Sequence, residues 1–395
     1  MSTRRNFLAG LGAALSASAL LPRFAFADLP TDRRLVIVLL RGGVDGLAMV
    51  PPHGDAQYQS ARGNLALPGP SSTEGVADLD GFFGLHPALE GLMPHWDAGQ
   101  LAAVHAVALP YRKRSHFDAQ NMLENGTDRP YGAHDGWLNR AVGKLGGRGL
   151  ALGKDVPLLL QGDAPVLAID PTDRATDGAG YLDDVGALYA NDPLLGRALE
   201  EGIASRAMLE QHVQMSESRG RGRRRQALGA ALSATGKLMA VDDGPRVGVI
   251  HAGGWDTHAQ QGRTTGSLAG KLGQLAAGLD KLAVALEPVW DQTAIVVVTE
   301  FGRTVRANGT GGTDHGTAGA ALMLGGAVRG GRVHADWPGL SRGDLFEGRD
   351  LAPTTDLRAL FKAALRDHLR LPEGLIEDEI FPDSRLVRPL ASLFA

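Results

Sequence analysis

Leu35-Val-Ile-Val-Leu-Leu40 is the stretch that decides the fold, and it runs directly into Arg41-Gly-Gly-Val-Asp-Gly46. An unbroken apolar run with β-branched side chains is typical of a strand that is covered on both faces, as in a parallel sheet. Similar apolar runs lie further along the chain, at 101–107, 247–250, 294–299 and 320–324. The sequence therefore predicts a sheet of buried strands.

Helical patterns alternate with the later strands. Leucines recur at steps of three and four along 266–290, and two further helices are predicted at 226–241 and 357–369. Strands that alternate with helices favour an α/β fold with a mainly parallel central sheet. Residues at about 170–245 are polar and helical in pattern, which predicts a helical insertion within a single domain spanning 28–395.

The first 27 residues have the features of a twin-arginine signal peptide. Arg4 and Arg5 directly precede an apolar stretch, and Ala25-Phe-Ala27 is a pattern that signal peptidase cleaves. The apolar stretch is shorter than the roughly 20 residues that a membrane-spanning helix needs. We expect export by the twin-arginine translocase to the periplasm or the cell exterior, with a mature N-terminus at Asp28.

Composition excludes several classes of protein. The chain has no cysteine, which rules out disulfides, thiolate metal sites and a cysteine nucleophile. Removing the signal peptide removes three arginines and no acid, so the formal charge goes from −4 to −7, and no binding of nucleic acid is expected. No segment after residue 27 is apolar for long enough to span a membrane, and no Gly-x-Ser-x-Gly elbow of an α/β-hydrolase occurs.

Polar residues follow the predicted strands, where ligands bind in open parallel sheets. Asp45 comes after the first strand and is a candidate cation ligand. Ser115 is expected at the start of a helix, where backbone N–H groups favour anions, and is a candidate nucleophile toward a phosphate or similar ester. Arg114 and Arg303 are candidates for charge stabilisation, and His116 for proton transfer.

Acids and histidines also cluster near the later strand ends. Carboxylates and imidazoles are the usual ligands of zinc and similar ions, so a shared divalent-metal site is predicted here, with zinc, manganese or calcium as candidates. Taken singly, each cluster has a simpler interpretation as a helix cap, a surface histidine or a carboxylate–arginine network. With Asp45, the predicted metal ligands are Asp256, His258, Glu300, Asp314 and His315.

At these motifs the sequence resembles an exported bacterial family called domain of unknown function 1501. The resemblance spans nearly the whole mature chain. The motifs that carry it, besides the twin-arginine start and the run 41–46, are Arg114-Ser-His-Phe-Asp118, Gly136-Trp-Leu-Asn-Arg140, Gly253-Gly-Trp-Asp-Thr-His258, Glu300-Phe-Gly-Arg-Thr304 and Gly312-Thr-Asp-His-Gly316.

That family in turn resembles the alkaline phosphatase and sulfatase superfamily. The resemblance implies a three-layer sandwich with one or two divalent metals at the strand ends. Asp45 then matches an acidic ligand and Ser115 the nucleophile. The residues Asp256, His258 and His315 match one metal site.

The sequence departs from the superfamily pattern at the other metal site. Phe301 stands beside Glu300, where a paired histidine is expected, so a second site is in doubt unless Asp314 or His116 completes it. The sequence after Ser115 also lacks the sulfatase signature. The leading hypothesis is an exported metal-dependent hydrolase of phosphate or related anionic esters. The alternative is a non-catalytic member of the fold that binds an anion, a glycan or a partner protein.

Overall fold

The computed structural model describes residues 31–153, 155–169 and 222–395, with a few single residues between 188 and 211. The predicted signal peptide and most of the predicted insertion at about 170–245 lie outside the described residues. The strands are β1 Arg34–Arg41, β2 Ala77–Asp78, β3 Gly84–Leu85, β4 Leu101–Ala108, β5 Gly149–Leu152, β6 Val166–Ile169, β7 Val247–Gly253, β8 Thr293–Val298, β9 Gly319–Leu324, β10 Arg332–His334 and β11 Thr355–Asp356.

The helices within the described residues lie mostly between these strands. Short 3₁₀ segments occupy Gly63–Leu65, Pro87–Leu92, Leu158–Leu160 and Glu287–Gln292, and π-helical turns occupy Ala364–His368 and Ile376–Ile380. The α-helices are α1 Gly46–Met49, α2 Tyr58–Arg62, α3 Met93–Asp97, α4 His116–Asn125, α5 Trp137–Leu145, α6 Gly222–Ala240, α7 Ser267–Ala285, α8 Leu357–Ala363 and α9 Glu373–Leu375.

Nine of the described strands form one sheet in the order β10-β4-β9-β8-β1-β7-β5-β6, with β11 beside β4. Strand β1 lies between β7 and β8 and pairs with both in parallel. Strand β9 runs antiparallel to β4 and β8, and the other pairs in this sheet are parallel. The mainly parallel sheet is therefore confirmed.

Helices cover both faces of the sheet, and the side chains of β1 alternate between two cores. Leu35, Ile37 and Leu39 pack into one apolar cluster with α4, α5 and α8. Their neighbours Val36, Val38 and Leu40 pack into the other cluster with α6 and α7. Burial on both faces is why the strand reads as a continuous apolar run. The three-layer α/β architecture is confirmed. None of the helices in the described part of the chain has the length and hydrophobicity that spanning a bilayer requires.

Candidate functional site

The parallel strands bring four separate segments to one edge of the sheet. His116 is the first residue of α4, which follows β4. Asp256 comes three residues after β7, and Glu300 comes two residues after β8. His315 lies in the loop before β9 and forms an isolated bridge with Arg303. Because β9 runs antiparallel to its neighbours, its start lies at the edge where they end.

Three histidine Nε2 atoms face the carboxylate of Asp256. The Nε2 atoms of His258 and His315 lie 3.0 and 3.2 Å from Asp256 Oδ1, and that of His116 lies 3.5 Å from Oδ2. The two nitrogens of His258 and His315 are 3.0 Å apart. The ligand atoms of His116, Asp256 and His315 all lie within 4.8 Å of one another, and the Nε2 atom of His258 lies beside two of them.

Each of these imidazoles is held through its other nitrogen by an acceptor. His116 Nδ1 lies 2.8 Å from Glu300 Oε1, and His258 Nδ1 lies 3.2 Å from Asp314 Oδ1. His315 Nδ1 lies 2.9 Å from the carbonyl oxygen of Arg114. A carbonyl or carboxylate oxygen only accepts, so Nδ1 of each ring is placed to donate, and the Nε2 atom on the opposite side of the ring points into the cluster.

Glu300 is buried and holds His116 through a hydrogen bond to its Nδ1. Its carboxylate also accepts hydrogen bonds from the backbone N–H of Gly42, the amide of Gln120 and the hydroxyl of Thr299. Burial by itself raises the pKa of Glu300, but the hydrogen bonds from His116, Gln120 and Gly42 outweigh it and lower that pKa. Glu300 is therefore anionic at neutral pH and acts on the cluster through His116.

Arg303 is the buried cation beneath the cluster. It donates to Asp256 Oδ1 at 2.5 Å and to Gly43 O at 2.5 Å, and its other bonds go to backbone carbonyls. Burial raises the pKa of Asp256, but the hydrogen bond and the charge of Arg303, together with the charges of His258 and His116, lower it overall. Arg303 thus keeps Asp256 ionised.

Two further residues, Phe301 and Gly42, determine how the backbone and side chains pack next to the cluster. The ring of Phe301 lies 4.7 Å from the His116 ring and 5.0 Å from the His315 ring, so it supports both imidazoles instead of supplying a ligand. Gly42 has φ +124°, and a Cβ there would lie 2.6 Å from the backbone nitrogen of Asp256. Only glycine allows β1 and the segment after β7 to approach this closely.

The other predicted metal ligands have different positions. Asp314 holds His258, as Glu300 holds His116, and the hydrogen bond from Asn308 is the main cause of its lowered pKa. Asp45 lies apart from the cluster as the N-cap of α1, and its carboxylate bonds with Arg62 at 2.5 Å and Gln261 at 2.7 Å. Asp45 and Arg62 are almost completely buried, so this is a structural ion pair.

Two predicted catalytic residues also face elsewhere. Ser115 is the N-cap residue of α4 by position, but its side chain makes no capping bond and lies beside the phenol of Tyr111. The guanidinium of Arg114 pairs with Glu347 at 2.6 Å and Asp350 at 2.8 Å. Arg114 therefore contributes to the cluster through its carbonyl oxygen, which orients His315.

Gln120 is a site residue that no sequence motif indicated. Its amide nitrogen donates to Glu300 at 2.8 Å, and its amide oxygen accepts from Arg41. Gln120 lies four residues after His116 on α4, and residues at this spacing share one face of a helix. The four-residue spacing from His116 was therefore the sequence feature that could have identified Gln120.

A sequence comparison identifies the family. The profile described as "Protein of unknown function (DUF1501)" matches residues 32–380, and the chain belongs to this family. A comparison with curated proteins finds no match.

Comparison with solved structures finds distant similarities in fold. The structure of Ps i-CgsB with k-i-k-neocarrahexaose shares 12% identity, with 77% of this chain and 68% of that chain covered and a TM-score of 0.38. The soluble domain of lipooligosaccharide phosphoethanolamine transferase A from Neisseria meningitidis shares 14%, with 74% and 77% covered and a TM-score of 0.33. The phosphonate monoester hydrolase of Agrobacterium radiobacter shares 13%, with 86% and 74% covered and a TM-score of 0.38.

Proposed function

We propose that His116, Asp256 and His315 bind one divalent metal ion and that the protein is an exported hydrolase of phosphate or related anionic esters. One observation carries the proposal. The Nε2 atoms of His116, His258 and His315 lie 3.0–3.5 Å from the carboxylate of Asp256, and those of His258 and His315 lie 3.0 Å from each other. Such groups repel one another unless a cation or a proton lies between them.

The donor atoms suit a transition metal better than calcium. Two ligands bound at roughly 2.0–2.1 Å around a tetrahedral ion lie roughly 3.3 Å apart, close to the separations observed here. The Nε2 atom of His116 is buried and has no hydrogen-bond partner in the described structure, which fits a ligand position. Two imidazoles and one carboxylate favour zinc or manganese, since calcium prefers a shell of about six to eight oxygens.

When bound, such an ion would polarise an ester oxygen and lower the pKa of a bound water. Glu300 fixes the ring of His116, and the Arg114 carbonyl fixes that of His315. The sequence motifs assigned His258 to the metal and His116 to proton transfer. We propose to exchange these two roles, because the ring of His258 is the most exposed of the three and Asp314 holds its Nδ1. His258 would then accept the proton of the attacking water, and Arg303 would balance the charge of Asp256.

The position of Ser115 bears on the choice of nucleophile. Its hydroxyl lies beside Tyr111, whereas the converging atoms belong to histidines and Asp256. We therefore propose water as the attacking group and keep Ser115 as the alternative that a substitution can test.

The Arg303–Asp256 pair favours a second candidate function. An arginine 2.5 Å from the carboxylate already supplies one positive charge, as a metal-free carboxylate–arginine network requires. In that case the protein would bind an anion, a glycan or a partner without turning it over. Metal content separates the two functions.

The test uses the mature protein purified from the exported fraction. We expect about one zinc or manganese per chain, hydrolysis of 4-nitrophenyl phosphate or bis(4-nitrophenyl) phosphate, and a lower melting temperature after chelation. A ligand that binds only the folded state at ~100 times its Kd adds ~2.7 kcal/mol to stability. His315→Ala should lose the metal, the activity and the response to chelator.

His53→Ala is the matched control, because His53 pairs with Asp78 and not with a residue of the cluster. It should retain metal and activity. Protein without metal whose melting is indifferent to chelator and to added zinc or manganese would contradict the hydrolase and support the binding protein.

A further inference from the structure

A cleft of about 540 Å³ opens beside the histidine cluster, near the ends of β5 and β7. Its lining includes Arg41, Phe117, Gln120, Tyr131 and His251. The volume lies within the usual range for sites that bind small organic molecules.

The cleft and the cluster share one hydrogen-bonded wall. Arg41 donates to the amide oxygen of Gln120, and the amide nitrogen of Gln120 donates to Glu300, which holds His116. Phe117 follows His116 directly on α4 and also lines the cleft. A molecule whose reacting group lies at the cluster can therefore extend its remaining part into the cleft.

Two exposed aromatic side chains flank this cleft. Phe117 is 81% exposed and Tyr131 is 64% exposed, although burial of large aromatic rings is strongly favoured. Tyr131 also has φ +57°, which is strained for a bulky residue, and its backbone N–H is held by Asn121 Oδ1 at 2.5 Å. Strained residues of this kind are concentrated at ligand sites.

Arg41 provides a positive charge in the same cleft. Its NH1 group lies 3.2 Å from His251 Nδ1, and Glu124 is 3.8 Å away, while 40% of the Arg41 side chain remains exposed. Burial, followed by the charge of Arg41, lowers the pKa of His251 to about 4, so this ring is neutral and does not compete for anions. The guanidinium fork retains N–H donors suited to a carboxylate or phosphate.

We propose that the cleft binds the organic part of the ester, with Phe117 and Tyr131 stacking on the face of a ring and Arg41 pairing with a second anionic group on it. This inference rests on the proposed function for the identity of the reacting group. The ring can belong to a carboxylate-bearing aryl ester or to an acidic sugar, because an aromatic ring and the C–H face of a sugar ring both pack against aromatic side chains.

The experiment compares three phosphate esters: ethyl phosphate, phenyl phosphate and 4-carboxyphenyl phosphate. Glucuronic acid 1-phosphate provides the sugar arm. Binding is measured by calorimetry with the unsubstituted protein and each variant, using the non-hydrolysable phosphonate counterpart of each ester so that the proposed metal ligands stay in place. KM and kcat are measured with the esters themselves. Leu386→Ala is the control for loss of an exposed apolar side chain, because Leu386 is 97% exposed and does not line this cleft.

We expect 4-carboxyphenyl phosphate or glucuronic acid 1-phosphate to bind at least tenfold more tightly than ethyl phosphate. Phe117→Ala and Tyr131→Ala should each weaken binding of the ring compounds several-fold and leave ethyl phosphate unchanged. Arg41→Gln should remove the preference for 4-carboxyphenyl over phenyl phosphate, with the effect in KM and not in kcat. The tighter of the two acidic compounds identifies the kind of ring.

Different experimental results would contradict the cleft inference and the proposed hydrolase function. Ring-dependent binding without hydrolysis by the unsubstituted chain would uphold the cleft and reject the hydrolase. Hydrolysis that is indifferent to Phe117→Ala, Tyr131→Ala and Arg41→Gln would uphold the hydrolase and overturn the cleft. An equal loss of phenyl and 4-carboxyphenyl phosphate binding in Arg41→Gln would overturn the role of Arg41.

Discussion

His116 and Glu300 form a hydrogen-bonded pair across 184 residues of sequence, with Nδ1 of the imidazole 2.8 Å from Oε1 of the carboxylate. The pair leaves Nε2 of His116 turned toward Asp256. Carboxylates that hold a metal-binding histidine through its other nitrogen fix the ring and increase its basicity. The pair is therefore the relationship through which a buried acid acts on the proposed metal centre.

Glu300→Gln should weaken metal binding without removing a ligand. A neutral amide still accepts from His116 but no longer increases its basicity, so we expect a loss of roughly 10- to 100-fold in metal affinity. Competition with a chromophoric zinc chelator measures this. Asp314→Asn is the matched variant, because Asp314 holds His258, and it should reduce kcat while metal affinity changes little. Equal metal affinity in Glu300→Gln and the unsubstituted protein would contradict the assignment.

Asp45→Ala should destabilise the fold and leave the metal in place. The substitution leaves Arg62 buried without its carboxylate partner, and breaking a buried pair in this way costs about 3–5 kcal/mol. Chemical denaturation gives the loss in unfolding free energy, and metal analysis of the folded fraction gives the stoichiometry. Loss of metal with unchanged stability would instead make Asp45 a ligand, as the sequence motif suggested.

Ser115→Ala decides between the two nucleophiles. The Ser115 side chain makes no capping bond, so little change in stability is expected. With water as the attacking group, kcat for 4-nitrophenyl phosphate should fall by less than about tenfold, whereas loss of a serine nucleophile can cost on the order of 10⁶-fold. A fall of more than about 10³-fold, with metal content unchanged, would restore Ser115 as the nucleophile.

The free energy of unfolding should decrease as pH falls, and part of this decrease should come from His105. This ring is fully buried on β4, donates from Nε2 to the carbonyl of Val50, and has a pKa that burial lowers to about 4. The unfolded chain takes up the proton near pH 6.5, so the contribution is fully present above that pH and is lost as pH falls toward 4. The loss amounts to about 3 kcal/mol.

The measurement is the unfolding free energy of the unsubstituted protein and of His105→Gln at several pH values between 7 and 4.5. The variant should show a shallower dependence on pH, because it has no ring to protonate at this position. His251 and His368 also have pKa values lowered to about 4 by burial, so part of the slope should remain. Identical slopes would refute the role of His105.

Replacing Arg4 and Arg5 together by lysine should trap the precursor in the cytoplasm, because the pair is the mark of the twin-arginine signal. N-terminal sequencing of the exported protein should begin at Asp28. Immunoblots of cell fractions measure export. Undiminished export of the double variant would exclude this route.

Several strands were predictable because their signal is local. Leu35–Leu40 and 294–299 are continuous apolar runs, and burial on both faces of the sheet requires that composition wherever the strand pairs. The start of α4 at His116 was also within one residue of the predicted helix. The sheet edge at which the site lies was also predictable, because the carboxyl ends of parallel strands lie at the same edge of a sheet.

The roles of the individual acids were not predictable from the same local signal. Asp45 and Glu300 both follow a central strand, yet Asp45 meets Arg62 of α2 and Glu300 meets His116 of α4. Those partners lie 17 and 184 residues away and come from helices that pack over the strand ends. A strand-end carboxylate becomes a structural ion pair or a site residue according to which helix covers it.

By itself, the sequence determined the alternation of strands and helices, the family, and a concentration of acids and histidines at one sheet edge. These follow from local composition and spacing. Only the tertiary structure decided that His116, Asp256 and His315 converge and that Glu300 and Asp314 hold histidines. It also decided that a cleft flanked by Phe117 and Tyr131 adjoins them. The physical reason is that side-chain direction at a loop or helix start depends on long-range packing, and distances of 3 Å between such groups are set by contacts that span the chain.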